Sequence, residues 1–239
     1  MKRLISVCMV CLGFITSVWA ESGATEKDRI KDSTNVLKDV LNAPDKGIPE
    51  SVLGGTKCVI VIPSVKKAAF IVGASYGRGV MTCRTGDDFK GPWSAPIMMA
   101  TESGSVGFQI GGSGTDFVIL VLNDDGARTL MKSKVKLGAD ASIAAGPVGR
   151  TAEASTTGSM KAQMLSYSRS RGAFAGVSLS GASLRVDDDA NKNLYGEKVT
   201  SEQIMKGAVP MPEEAKPLIE IVNQATQKAR SEKAAEEKK

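Results

Sequence analysis

The chain has no histidine among its 239 residues. That excludes a Ser-His-Asp triad, a Cys-His pair and every His-ligated metal site. It has no Gly-Lys-Ser/Thr, so the glycines at 111, 112 and 114 do not make a P-loop, and the glycine spacing of Gly73 to Gly79 is not a dinucleotide fingerprint. No cofactor motif is present. Asp187 to Asp189 lacks EF-hand spacing, and three adjacent acids cannot all point one way in a strand. A solvated turn is expected there, not a metal site. Charge of one sign is also scarce. A formal net charge of +5 is mildly basic and is not a nucleic-acid-binding composition.

The one markedly apolar stretch lies at the start. Lys2 and Arg3 precede Leu4 to Val18, and Val18 and Ala20 supply small residues before a cleavage point. This is the pattern of a secretory signal over residues 1–20, with the mature chain starting at Glu21. The run is too short for a spanning helix. Cys8 and Cys11 lie in it, but Cys11 follows Met9 and Val10, so plain cleavage ranks above lipidation. Removing the leader takes the charge from +5 to +3 and leaves two cysteines, Cys58 and Cys83. In an oxidising compartment such a pair is a candidate disulfide; the alternative is two buried thiols. The expected location is periplasmic or secreted, with attachment at the periphery of a membrane included in that expectation.

The most distinctive stretch is Lys132 to Arg150. Lys132, Lys134 and Lys136 alternate, so an extended chain would put their ammonium groups on one side and bury Val135 and Leu137 on the other. Small residues then run from Gly138 to Gly146, broken by Asp140 and Ile143. Pro147 and Gly149 fix a turn before Arg150. Two readings follow: a surface facing a polyanion, or a solvated edge strand whose lysines oppose aggregation. Asp140 or Glu153 could also serve an enzyme, though a single acid without a nucleophile says little.

Periodicity predicts an amphipathic helix over Thr25 to Asn42, packed on its own core or lying on a membrane. A short turn follows over Ile48 to Leu53. Cys58 to Ile62, Ala69 to Val72 and Val80 to Cys83 are strand-like, and Pro63 should stop the first. Gly73 to Gly79 reads as strand with close backbone contacts. Gly86 to Pro96 is a loop whose Trp93 caps the core or stands at a surface site. Val106 to Ile110 and Phe117 to Leu122 are expected to pair, and the wholly apolar second run should be covered on both faces. Asp124 or Asp125 caps a helix to Met131. Ala162 to Arg169 turns at Arg171 and returns over Phe174 to Val186, with a bulge at Gly181. Thr200 and Gln203 form a capping box, and a last helix begins at Pro212 or Pro217. The tail, 228–239, is charged and expected to fray. The expected fold is α+β: a largely antiparallel sheet, or two packed sheets, with N- and C-terminal helices.

Four blocks in order, PSVKKAAFIVGASYGRG (63–79), GSVGFQIGG (104–112), KLGADASIAAGPVGR (136–150) and LSYSRSRGAFAGVSLSG (165–181), resemble the SYLF lipid-binding domain family. The chain looks like the exported single-domain bacterial form, with one such domain over residues 21–227 and no SH3 or FYVE domain attached. The resemblance implies a binding module without known catalysis. Its eukaryotic members bind phosphoinositides through an N-terminal helix and a basic surface, and some bind actin filaments. For an exported chain the implied partner is an anionic phospholipid or membrane surface. Lys132, Lys134, Lys136, Arg150, Arg169 and Arg171 are the candidate contacts. The alternative is an envelope protein acting by protein–protein contact, with the protein partner unknown.

Overall fold

The computed structural model describes residues 22–43, 47–69, 72–106, 114–132, 134–148, 161–170 and 173–236. The expected leader lies outside them. Helix α1 (Ser22–Leu41) and the short α2 (Glu50–Gly55) precede four strands: β1 (Cys58–Ala69), β2 (Val72–Cys83), β3 (Ile97–Val106) and β4 (Thr115–Val121). Then come α3 (Asp124–Thr129), β5 (Lys134–Lys136), β6 (Ile143–Ala145), β7 (Met164–Ser170), β8 (Ala173–Gly176) and β9 (Ser183–Val186). Helices α4 (Asp188–Tyr195), α5 (Ser201–Met205) and α6 (Lys216–Glu236) complete the chain.

Among the described residues the nine strands form one sheet in the order β5-β9-β3-β2-β1-β4-β7-β6, with β8 paired to β7. Every pairing is antiparallel except β6 with β7. The end strands β5 and β6 are joined by the tight turn 137–142, where Leu137 bridges Ala141 and Gly138 takes a φ of +87°. Because consecutive segments form opposite ends of the sheet, the sheet must curl until those ends meet. The fold is therefore α+β with a mostly antiparallel, curled sheet and helices at both ends.

The curl and the helices give the central stretches of β1, β2, β3, β4 and β7 two buried faces. Alternate residues Cys58, Ile60, Ile62, Met81, Ile97, Met99, Ile119 and Leu184 fill the inner core. Val59, Val61, Val80, Met98, Val118 and Leu120 form the outer face. Ile30, Val36, Leu37 and Val40 of α1 pack on that face, with α2 and α6 beside them. Each such side chain contributes about 1.5–3 kcal/mol on burial, which accounts for strands with no polar position.

Several expectations are corrected. Pro63 does not stop β1: a register shift between Val61 and Lys66, with Ser64 at φ 48°, lets the strand continue. Gly73 to Gly79, by contrast, is strand with close backbone contacts as expected: it lies in β2, and a Cβ on Gly79 would run into the Val61 carbonyl. Phe117 to Val121 pairs with β1 and β7, not with the run ending at Ile110; residues 107–113 lie outside the described set. Asn123, not Asp124 or Asp125, caps α3 by accepting from the Gly126 amide. The return after β7 divides into β8 and β9, with Gly181 (φ 91°) in a turn between them in place of a bulge. The tail does not fray at Lys228: α6 continues to Glu236 and buries Ala229.

Candidate functional site

Strand β5 places its alternating residues as the pattern requires. Val135 is buried in the inner core, while Lys134 and Lys136 are exposed on the outer side. Lys134 stands opposite Arg185 and Lys136 opposite Ser183. Ser183 faces Glu102 on β3, Glu102 faces Tyr76 on β2, and Tyr76 faces Lys66 on β1. Cross-strand partners share a face, so these residues form a row over five strands, about 19 Å long at 4.8 Å per strand. Tyr76 is 45% exposed and is the large apolar residue left open among the described ones. It lies in unbroken phase with Val80, on the part of the outer face that extends beyond the helices.

Lys66 thus stands on one side of an exposed tyrosine, and Glu102 followed by Arg185, Lys134 and Lys136 on the other, four cations with one carboxylate among them. Glu102 accepts from Arg185 Nε at 3.1 Å and from Lys134 Nζ at 3.3 Å. These bonds, that from Arg185 foremost, hold its carboxyl below the usual glutamate range. An exposed pair of this kind is worth at most about 1 kcal/mol, so Glu102 neither neutralises the row nor locks it. Lys132, exposed in the turn before β5, stands at its margin.

Of the remaining candidates, Arg169 does not join this row. Arg169 lies on β7, on the far side of β1. It donates to Asp116 at 3.0 and 3.1 Å and to Asp39 of α1 at 2.6 Å. Its charge is spent holding α1 against β4 and β7. Arg150, Arg171 and Glu153 lie outside the described residues. Asp140 is exposed and accepts the Lys136 amide at 2.7 Å, which makes it a turn-former rather than an acid in a pocket. A cavity of about 610 Å³ at the end of the inner core is lined instead by Phe89, Arg128, Met131, Met205 and Lys206, among others. Among the described residues, no group of three cysteines or carboxylates could hold a metal ion, and no helix is long and apolar enough to cross a membrane.

One charged group was missed by the sequence reading. Asp187, expected in a solvated turn, is 7% exposed and sits between Arg29 of α1 and Arg78 of β2. Its Oδ2 accepts from Arg29 Nη1 at 3.0 Å and Arg78 Nε at 3.1 Å. Glu26, 1% exposed, lies 3.5–3.6 Å from both guanidinium groups. Burial alone would push the Asp187 carboxyl up, but the two arginines outweigh it and hold it below 3.8. A signal was present: Glu26 and Arg29 fall on the apolar face of α1, in phase with Ile30, Ser33 and Leu37, where unpaired charges are not tolerated.

Residues 102–225, more than half the chain, match the family described as Ysc84, Las17-binding protein actin regulator. The chain belongs to the Ysc84 family. It is 41% identical over 180 residues to an SH3 domain-containing protein of Schizosaccharomyces pombe, covering 74% of this chain and 41% of that one. It is 35% identical over 205 residues to Protein YSC84 of Saccharomyces cerevisiae, covering 82% and 43% respectively. It is 33% identical over 212 residues to SH3 domain-containing YSC84-like protein 1 of Homo sapiens, covering 86% and 61%. The chain thus spans about half the length of the curated relatives it matches. The Ysc84 family match begins at Glu102 and takes in Lys134, Lys136, Arg185 and Asp187; Lys66, Tyr76 and Arg78 precede it.

Proposed function

We propose that this Ysc84-family chain is a non-enzymatic binding module. Its outer sheet face docks on anionic phospholipid at the exported side of a cell envelope. The observation that carries this reading is the cross-strand row Lys66–Tyr76–Glu102–Ser183–Lys136 with Arg185 and Lys134 paired beside it, so that one carboxylate stands among four cations and an open aromatic ring. Tyrosine suits a water–lipid boundary, with an apolar body and a polar tip. Each lysine or arginine held near an anionic surface contributes about 1 kcal/mol at low salt. A leader-like start and the Cys58–Cys83 bridge support export.

The measurement is co-sedimentation with phosphatidylglycerol vesicles. Lys134→Gln with Lys136→Gln removes two such contributions and is expected to weaken partitioning about 30-fold at low salt. Tyr76→Ala should weaken it further, and added salt should abolish it. Equal binding to neutral phosphatidylcholine vesicles would overturn the proposal. The names of the relatives favour a second reading, in which the chain acts by contact with a protein. Capture of a protein partner that survives charge reversal at Lys134 and Lys136, with no vesicle binding, would establish it in place of the first.

A further inference from the structure

Among the described residues two arginines are buried, with opposite surroundings. Arg29 is 6% exposed and has the carboxylates of Asp187 and Glu26 beside it. Arg84 is also 6% exposed, yet among the described residues no carboxylate pairs with it. Its Nη1 and Nη2 donate to neutral acceptors, the Gly91 carbonyl at 3.3 Å and Thr226 Oγ1 at 3.1 Å. Its Nε has no acceptor, and neither has the indole Nε1 of Trp93. The guanidinium lies 4.5 Å above the Trp93 ring. A second cation, Arg230, stands close enough to act on it: burial first, then Arg230, lowers the Arg84 pKa. Arg230 is exposed on α6 and is anchored through Nε to the Gly54 carbonyl at 3.1 Å.

A buried cation without a counter-charge is strongly unfavourable, and a like charge beside it makes it worse. Arg29 shows how this chain meets that cost with its own acids. At Arg84 the protein supplies a second arginine and two unused buried N–H donors. An aromatic face holds the guanidinium flat. The combination is suited to an anion with several acceptor oxygens, since a guanidinium matches phosphate geometry better than a spherical ion. We infer that Arg84 and Arg230, with the Trp93 indole N–H, form a binding site for a phosphate group at the junction of the β2 end, α2 and α6. The site is separate from the lysine row: Arg84 lies eight residues along the chain from Tyr76, about 26 Å in an extended strand.

Trp93 makes the site observable, because the only other tryptophan is Trp19. In the full-length Trp19→Phe chain, Trp93 emission is followed during titration with inorganic phosphate, with glycerol 3-phosphate and with phosphatidylglycerol vesicles. Chloride at matched ionic strength is the reference. A saturable change with inorganic phosphate or glycerol 3-phosphate identifies a free phosphate as ligand. A change with the vesicles alone identifies a lipid headgroup. Arg84→Met is expected to fold at least as stably as the parent without phosphate and to lose the response. Arg230→Gln, at an exposed position, should fold normally and weaken half-saturation about 10-fold. The site is overturned if no probe gives a saturable change. It is equally overturned if Arg230→Gln and Arg84→Met respond as the parent does.

Discussion

Asp187→Ala is expected to destabilise the protein by about 3–5 kcal/mol, because it leaves Arg29 buried with its principal partner gone. Arg29 is 6% exposed and cannot turn to water without pulling α1 off the sheet. Arg78, partly open, can rehydrate, so most of the loss belongs to Arg29. Glu26 remains 3.6 Å from Arg29 Nη2, but its Oε2 already lacks a hydrogen-bond partner, so it is poorly placed to take over. Chemical denaturation at neutral pH measures the loss as a lower midpoint. The pH dependence gives a second signature. The Asp187 carboxyl lies below 3.8 in the folded protein because Arg78 and Arg29 outweigh its burial. A carboxyl lowered on folding stabilises the folded state at every pH above its unfolded value. That contribution disappears as pH falls below 3.8 through the folded value. The parent should therefore show a steep loss in that acid range, and Asp187→Ala a shallower one. Equal acid limbs would mean that Asp187 titrates alike in both states and carries no clamp.

The same residue shows why part of the site was not legible beforehand. Three aspartates in a row look like a solvated turn; Asp188 and Asp189 are indeed exposed, but they form the first turn of helix α4. Asp187 differs because it is the residue directly after β9, and its amide donates to the Met98 carbonyl at 2.8 Å. That contact joins positions far apart in the chain. Local pattern succeeds where the controlling contact is local. It places the outward lysines of β5 and the Thr200–Gln203 capping box, in which both reciprocal bonds form. It also gives the helices at either end and the apolar run of β4, whose residues Val118 to Val121 are buried on both faces. It fails where a strand leaves its sequence neighbour. Ser183–Val186 departs from the β7–β8 hairpin to pair with β3 and β5. This brings Arg185 beside Lys134 and creates the basic row. Nothing in the phase of Phe174 to Val186 signals that crossing beyond the break at Gly181. Arg169 is the converse case. An exposed-looking arginine near a hairpin end proves to be held by two aspartates, one of them on a helix 130 residues earlier.

Removing the disulfide should have the second large effect. Cys58 and Cys83 are direct cross-strand partners on β1 and β2, bonded with their Cα atoms 4.0 Å apart, and both face the inner core. The bond closes a loop with a sequence separation of 25. For a loop of that size the chain-entropy relation gives about 3.5 kcal/mol at 25 °C. Cys58→Ala with Cys83→Ala should lower the melting temperature by roughly 10 °C in a domain of this length. Reductant should lower the parent's midpoint by a similar amount and leave the double variant unmoved. If reductant leaves the parent unchanged, the bond carries no stability. The location of the bond adds a functional test. It pins one end of the β1–β2 pair, while Lys66 and Tyr76 pair at the other end, beyond the register shift of β1. The row of cations is organised by β3, β9 and β5 as much as by β1. A folded double variant should therefore bind phosphatidylglycerol vesicles as the parent does. Loss of vesicle binding at a temperature where the variant is still folded would show that the row depends on the pinned end. The docking surface would then extend along the whole β1–β2 pair.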